Sequence, residues 1–393
     1  MFARFTTARK PIMQFFAMIS LLWFAACDVA VAPQANTGRQ IDPADPVQVA
    51  LLVPRGSGQG SDDFLAQNFE NAARLAIADL TGAEIALRIY NTAGNPAQAA
   101  AVARAAVNDG AKIIIGPLYA ETANAAGVAV AGRNVNVLAF SNNPAIAGGN
   151  VFVLGATFDN TANRLVQYGT RQGINRYMVL YGDDLAGQAG RDAISRSVQR
   201  NGAQVVAVEG YPLSQQGIFG ATRQIVASAR NSAAQAVFIT ASVNADLPIL
   251  ATALPDAGLD ADSVRFIGLT RWDSAPQALA LPGLQGGLFT MPDQGTANQF
   301  VNRYAATYGE QPHPLAGLAY DGIAAIGALV ATGNRDALTK AALTTPAGFR
   351  GTSGVFRLLP NGLNERALAV ATIQNNQVVT LEQAPRNFGA AGF

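Results

Sequence analysis

At 393 residues the chain is long enough for two domains, and half of it is hydrophobic, so a large core is within reach. A single histidine, His313, sits between Pro312 and Pro314, so a histidine triad or metal site would have only a proline-flanked turn to use, and no glycine precedes a lysine, which excludes a P-loop. The net charge is +1, and no Lys/Arg run with interleaved aromatics points to nucleic acid.

Residues 1–14 carry Arg4, Arg9 and Lys10 and no acid. Residues 15–26 (FFAMISLLWFAA) are continuously apolar, too short to span a bilayer stably, and end in small residues before Cys27. This reads as a secretory signal over residues 1–26. The string Phe24-Ala25-Ala26-Cys27 resembles a bacterial lipobox, which implies lipidation of Cys27 and attachment to the cell envelope by the lipid alone. Removing the signal leaves 24 basic against 26 acidic side chains, and the lone cysteine leaves no internal disulfide. Residues 27–46 include three prolines, lack periodicity and read as a tether.

Strands are expected at 47–53, 84–90, 112–115 and 136–140, with helices at 64–80, about 95–109 and 122–132. The rhythm then repeats. A helix at 160–172 leads into strands at 176–181, 204–208, 236–240 and 264–269. Helices from about 188, at 218–229 and at 246–257 lie between them. Two comparable sets predict an α/β protein of two doubly wound, Rossmann-like lobes with a cleft between them. The tail departs from the pattern: a strand at 286–291, helices at 295–308, 315–331 and 336–343, and antiparallel strands at 354–358, 368–373 and 378–381. The expected partition is 47–155 plus 290–345 for the first lobe and 156–289 plus 346–383 for the second, with 384–393 as a tail. On this expectation the tail helices cover the first sheet, and the strands from 354 to 381 join the second.

The order of two lobes, a return to the first and a closing hairpin resembles the type I periplasmic-binding fold of leucine/isoleucine/valine-binding proteins. IIIGPLYAETANAAGVAV followed by VNVLAFSNN is similar to the third and fourth strands of that superfamily's first lobe. Within it, the lipobox, RIYNTAG, IIIGPLYAET and VLAFSNN most resemble penicillin-binding protein activator lipoproteins (LpoA-type).

Ligands of open α/β sheets sit where strands end, beside the reversal of strand order. The loop after 112–115 therefore brings Tyr119, Glu121 and Thr122 to a place where a ligand is met, although Thr122 or Glu121 could equally cap the following helix. Loops at 55–62 and 141–143 complete the first-lobe side, and 181–184, 241–244 and 270–273 the second. The glycines of RGSGQG (55–60) do not fit a dinucleotide fingerprint and read as a flexible cleft loop. In amino-acid binders of this class, first-lobe hydroxyls and N–H groups hold the ligand carboxylate and a second-lobe acid holds its ammonium. The resemblance gives Thr122 and Ser141, with Asn142 beside it, the first part. It gives Asp183, Asp184 or Asp273 the second, and Tyr119, Tyr181 and Trp272 the walls. Each has a structural alternative: Asp183-Asp184 as a helix cap, Trp272 stacked on Arg271 at the surface, 141–144 as a turn. Glu121 stands where a carboxylate would be repelled, which argues against a free amino acid.

No nucleophile, base or metal cluster stands at a recognisable spacing, so neither an enzyme nor a cofactor is expected. The resemblance implies a periplasmic, lipid-anchored regulator that touches a peptidoglycan synthase. The alternative is the substrate-binding lipoprotein of an ABC importer for branched-chain amino acids or related small polar solutes, with an ABC permease as partner.

Overall fold

The computed structural model describes residues 38–260 and 263–389, so the signal segment and Cys27 lie outside the described residues. From the first described residues the chain alternates β1 (Val47–Val53), α1 (Gly60–Asp79), β2 (Ile85–Asn91), α2 (Pro96–Asn108), β3 (Ile113–Ile115), α3 (Ala120–Val130), β4 (Asn136–Ala139) and β5 (Val151–Val153). The five strands form one parallel sheet in the order β2-β1-β3-β4-β5. Period-two alternation explains why central strands read as unbroken apolar runs. Val49, Leu51 and Val53 point into a core beneath α1, while Ala50 and Leu52 point into the core beneath α2 and α3. The small residues of α2 and α3, among them Ala103, Ala106, Ala123 and Ala126, let these helices lie close to the sheet.

The second lobe follows as α4 (Phe158–Arg171), β6 (Arg176–Gly182), α5 (Leu185–Arg200), β7 (Gln204–Tyr211), α6 (Gln215–Asn231), β8 (Ala236–Ile239), α7 (Leu247–Asp256), β9 (Arg265–Gly268) and β10 (Leu288–Met291). The chain then returns to the first lobe with α8 (Gln294–Tyr308), α9 (Gly317–Val330) and α10 (Lys340–Leu343). Tyr304, Ile323, Ile326 and Val330 bury against α1 and the first sheet. Next come β11 (Phe349–Gly351), β12 (Gly354–Leu358) and β13 (Asn364–Arg366), and finally β14 (Ala369–Gln374) and β15 (Gln377–Glu382). The second sheet has the order β15-β14-β10-β9-β8-β6-β7, with β14 and β15 antiparallel at one edge.

Two expectations change. Residues 354–358 do not join the second lobe: β12 pairs with β11 and β13 in a separate antiparallel sheet whose Phe349, Phe356 and Leu358 bury in the first-lobe core. A buried ion pair fixes this sheet, since Asp321 of α9 accepts from Arg366 at 3.1 Å and from the Thr352 N–H at 2.7 Å. Nor is the whole of 27–46 a free tether. Ile41 is buried in the first-lobe core and its N–H donates to the Arg335 carbonyl at 2.9 Å. With Arg39 donating to the Arg133 carbonyl at 3.2 Å and Gln40 to Asp336 at 2.9 Å, these contacts lay the last stretch of it on the lobe.

The chain passes between lobes three times: after β5, after β10, and between β13 and β14. The first two passes leave the C-terminal ends of parallel strands. At the third, Ala369 pairs with Met291, which puts the start of β14 at that same edge. The C-terminal edges of both sheets therefore meet at the hinge and face one another across the cleft. The passes are bonded together. Asn364 Nδ2 donates to the Val153 and Gly155 carbonyls at 2.7 and 2.9 Å, Arg366 to Leu154 at 2.6 Å, and Arg164 to Leu368 at 2.7 Å. No helix among the described residues is long and apolar enough to cross a membrane.

Candidate functional site

Strand order in the first sheet reverses between β1 and β3, so the loops that follow these strands flank the place where an α/β sheet meets a ligand. The loop after β1 is closed by the Gly56 N–H donating to Asp63 at 3.1 Å, and its Arg55 guanidinium turns away to Glu70 at 3.3 Å. The glycine-rich RGSGQG stretch thus leads into the start of α1. Its neighbour Asp62, in the first turn of α1, is nearly buried and accepts the Tyr119 hydroxyl. That hydrogen bond, then burial and the carboxylate's charge, push the Tyr119 phenol up to about 12, so it remains a proton donor.

The other first-lobe candidates divide between turn-making and exposure. Thr122 is buried and its hydroxyl donates to the Tyr119 carbonyl at 2.8 Å, which holds the start of α3. Ser141 is buried and accepts the Asn143 N–H at 3.1 Å, a turn bond. The Thr122 hydroxyl is thus committed to its own loop as a donor, whereas Ser141 only accepts there. Asn142 and Glu121 are exposed.

In the second sheet the order reverses between β6 and β8. A cavity of about 370 Å3 opens there, lined by Asp184, Leu213, Thr240, Ser242, Asp246 and Ile249 among others. Asp184 caps α5 through the Gly187 N–H at 2.6 Å, while Asp183 is exposed beside it. Tyr181 is half-buried, with the Arg191 guanidinium 5.1 Å over its ring. Asp246 accepts the Tyr211 hydroxyl and the Ser242 N–H, the latter at 2.7 Å. Burial, and after it the bond to Asp246, holds the Tyr211 phenol far above its ordinary range.

Trp272 does not line the cleft. It is fully buried in the second-lobe core, its ring 5.6 Å from that of Phe289. A Cβ at Gly268 or Gly287 would come within 2.3 or 2.6 Å of its indole, so the slot exists only because both positions lack a side chain. An aromatic of this area gains more from such a slot than from a solvated loop. Its neighbours Arg271 and Asp273 form an ion pair with each other.

Large apolar side chains stand exposed near the start of the helices that follow these edges. Phe64 is 48% and Tyr119 37% exposed on the first lobe; Leu185 is 86% and Leu213 52% exposed on the second. The sequence reading missed Tyr211 and Asp246 as members of the site and, though it placed loops 55–62 and 241–244 at the cleft, did not single out Asp62 or Ser242. Asp62 lay within an expected cleft loop, but its partner is 57 residues away, and only the adjacency of β1 and β3 brings them together.

A model of the periplasmic binding protein family matches residues 46–377. The chain belongs to that family. Solved structures similar to this periplasmic binding protein carry the same fold. One, from a branched-chain amino acid ABC transporter of Rhodospirillum rubrum, has a TM-score of 0.72 at 18% identity, over 86% of this chain and all of the other. A branched-chain amino acid ABC transporter ligand-binding protein of Burkholderia xenovorans gives 0.64 at 18% identity, over 86% of this chain and 96% of its own. An ABC transporter substrate-binding protein of Desulfitobacterium hafniense in complex with Leu gives 0.60 at 18%, over 86% of this chain and 100% of its own. Among curated proteins none matches.

Proposed function

We propose that this periplasmic binding protein is the solute receptor of an ABC importer, closing its lobes on a small ligand with an apolar body and presenting the closed form to a permease. The observation that carries the reading is the pair of facing edges, each at a reversal of strand order and each with exposed apolar side chains beside acids: Phe64 and Tyr119 on one lobe, Leu185 and Leu213 on the other. Fully burying one such side chain is worth about 1.5–3 kcal/mol. A ligand that fills the space between them therefore gains contacts only when the lobes close, and that difference in affinity is what shifts the equilibrium. The similar solved structures from ABC transporters favour this reading over contact with a peptidoglycan synthase, which rests on short sequence strings. Residues 1–26 would direct export, and Cys27 would tie the receptor to the envelope.

Small-angle scattering with parallel calorimetry tests the reading against a panel of amino acids, amides and amines with branched or aromatic bodies. The expected result is a ligand of about micromolar affinity, near −8 kcal/mol, that contracts the radius of gyration. A protein that contracts with none of them, and that purifies with a peptidoglycan synthase whether or not Leu185 is changed to Asp, is a regulator instead.

A further inference from the structure

The first-lobe edge has a polarity that discriminates among ligands. Asp62 is 6% exposed, and its Oδ1 is taken by the Tyr119 hydroxyl. Its Oδ2 accepts no hydrogen bond among the described residues, yet it is not sealed from solvent. Gly94 stands beside it: a Cβ there would lie 3.6 Å from both Asp62 Oδ2 and the Tyr119 ring, so the glycine leaves room over the carboxylate and the aromatic face together. The cations near the two edges are engaged elsewhere. Arg55 pairs with Glu70 at 3.3 Å, Arg191 with Asp192 at 2.7 Å, and Arg271 with Asp273. Glu121 and Asp183 add exposed negative charge at the rim. A ligand carboxylate brought here would be desolvated against like charge, with no free base among the described residues at these edges to meet it.

We propose that the ligand is an apolar amine without a carboxylate. Its protonated amino group donates to Asp62 Oδ2 against the face of Tyr119, and its hydrocarbon body lies between Phe64 on one lobe and Leu185 and Leu213 on the other. An ammonium supplies only donors and the Asp62 carboxylate only acceptors, while the tyrosine face adds a cation–π contact. The assignment rests on the solute-receptor reading and specifies the ligand of the same cleft.

Titration calorimetry of the mature protein with three compounds of one skeleton separates the groups: 3-methylbutylamine, leucine and 4-methylpentanoate. The amine is expected to bind at least about tenfold more tightly than leucine, and 4-methylpentanoate not to bind. Asp62→Asn should weaken the amine by about tenfold or more, and Tyr119→Leu should weaken it too, whereas Tyr119→Phe keeps the ring and most of the affinity. Glu121→Gln, on an exposed side chain that leaves folding untouched, should weaken the amine about two- to threefold at low salt and little at high salt. If leucine or 4-methylpentanoate binds as well as the amine, or if Asp62→Asn leaves the amine's affinity unchanged, the amine assignment falls while the receptor reading stands. Failure of all three compounds to bind also ends the assignment, and contraction on the wider panel then decides the receptor reading separately.

Discussion

Each lobe places an aspartate–tyrosine pair near its reversal of strand order, and the two pairs differ in what they leave unused. Asp246 in the second lobe spends both oxygens inside the protein, one on Tyr211 and one on the Ser242 N–H, and both its residue and its tyrosine are buried. Asp62 in the first lobe spends one oxygen on a tyrosine that is itself 37% exposed. The same two side chains make a closed brace in one place and leave an acceptor open in the other. Chemical type does not separate them; residual hydrogen-bonding capacity and access do.

The largest expected effect breaks the brace. Asp246→Ala leaves a buried phenol and a backbone N–H without acceptors and should cost about 2–5 kcal/mol in urea unfolding. Asp62→Ala should cost about 1 kcal/mol or less, because a partly exposed phenol can turn to water. Equal losses at the two positions would erase the distinction. Next in size is an alkaline effect. Both tyrosines have folded values above the usual 10, Tyr119 at about 12 and Tyr211 higher still. Each therefore contributes stability that is complete below pH 10 and is lost as pH rises through the folded value. Urea midpoints measured from pH 9 to 12 should fall above pH 10, and Tyr211→Phe should flatten that fall more than Tyr119→Phe does. The smallest effect on stability belongs to Leu185→Ser, within about 0.5 kcal/mol for so exposed a side chain. Its ligand affinity should nonetheless drop measurably by calorimetry, and an unchanged affinity would remove Leu185 from the cleft wall.

Much of this architecture is legible in the sequence because the parallel strands bury both faces. VQVALLV and KIII announce themselves as apolar runs, and the two repeats of strand and helix give two lobes. Short strands of mixed polarity escape such reading: β11 (FRG) and β13 (NER) have three residues each, too few for a period to show, whereas the equally short β3 is uniformly apolar. The destination of β12 also escapes. Its alternation says that Phe356 and Leu358 share a buried face but not which core accepts them, and the deciding partner, Asp321 against Arg366, is 45 residues distant. At the site, the loop after IIIGP was legible and Tyr119 with it. Thr122 shows the limit of reasoning from residue type, since a hydroxyl at a strand end is as suited to closing its own turn as to meeting a ligand. Trp272 shows another: a slot made by two glycines well separated along the chain has no local signature.

The three passes between lobes also govern how the protein can be made. Neither lobe is a continuous segment: the first sheet lacks its cover until α9 and β12 have been synthesised, and the second lacks an edge until β14 and β15 follow. A nascent chain that has delivered only its first five strands holds Ile115, Leu138 and Phe152 against nothing on the α9 side, because Ile323 and Phe356 come more than 150 residues later. Chains truncated before β11 are therefore expected to yield no folded lobe, and the two lobes reach completion almost together.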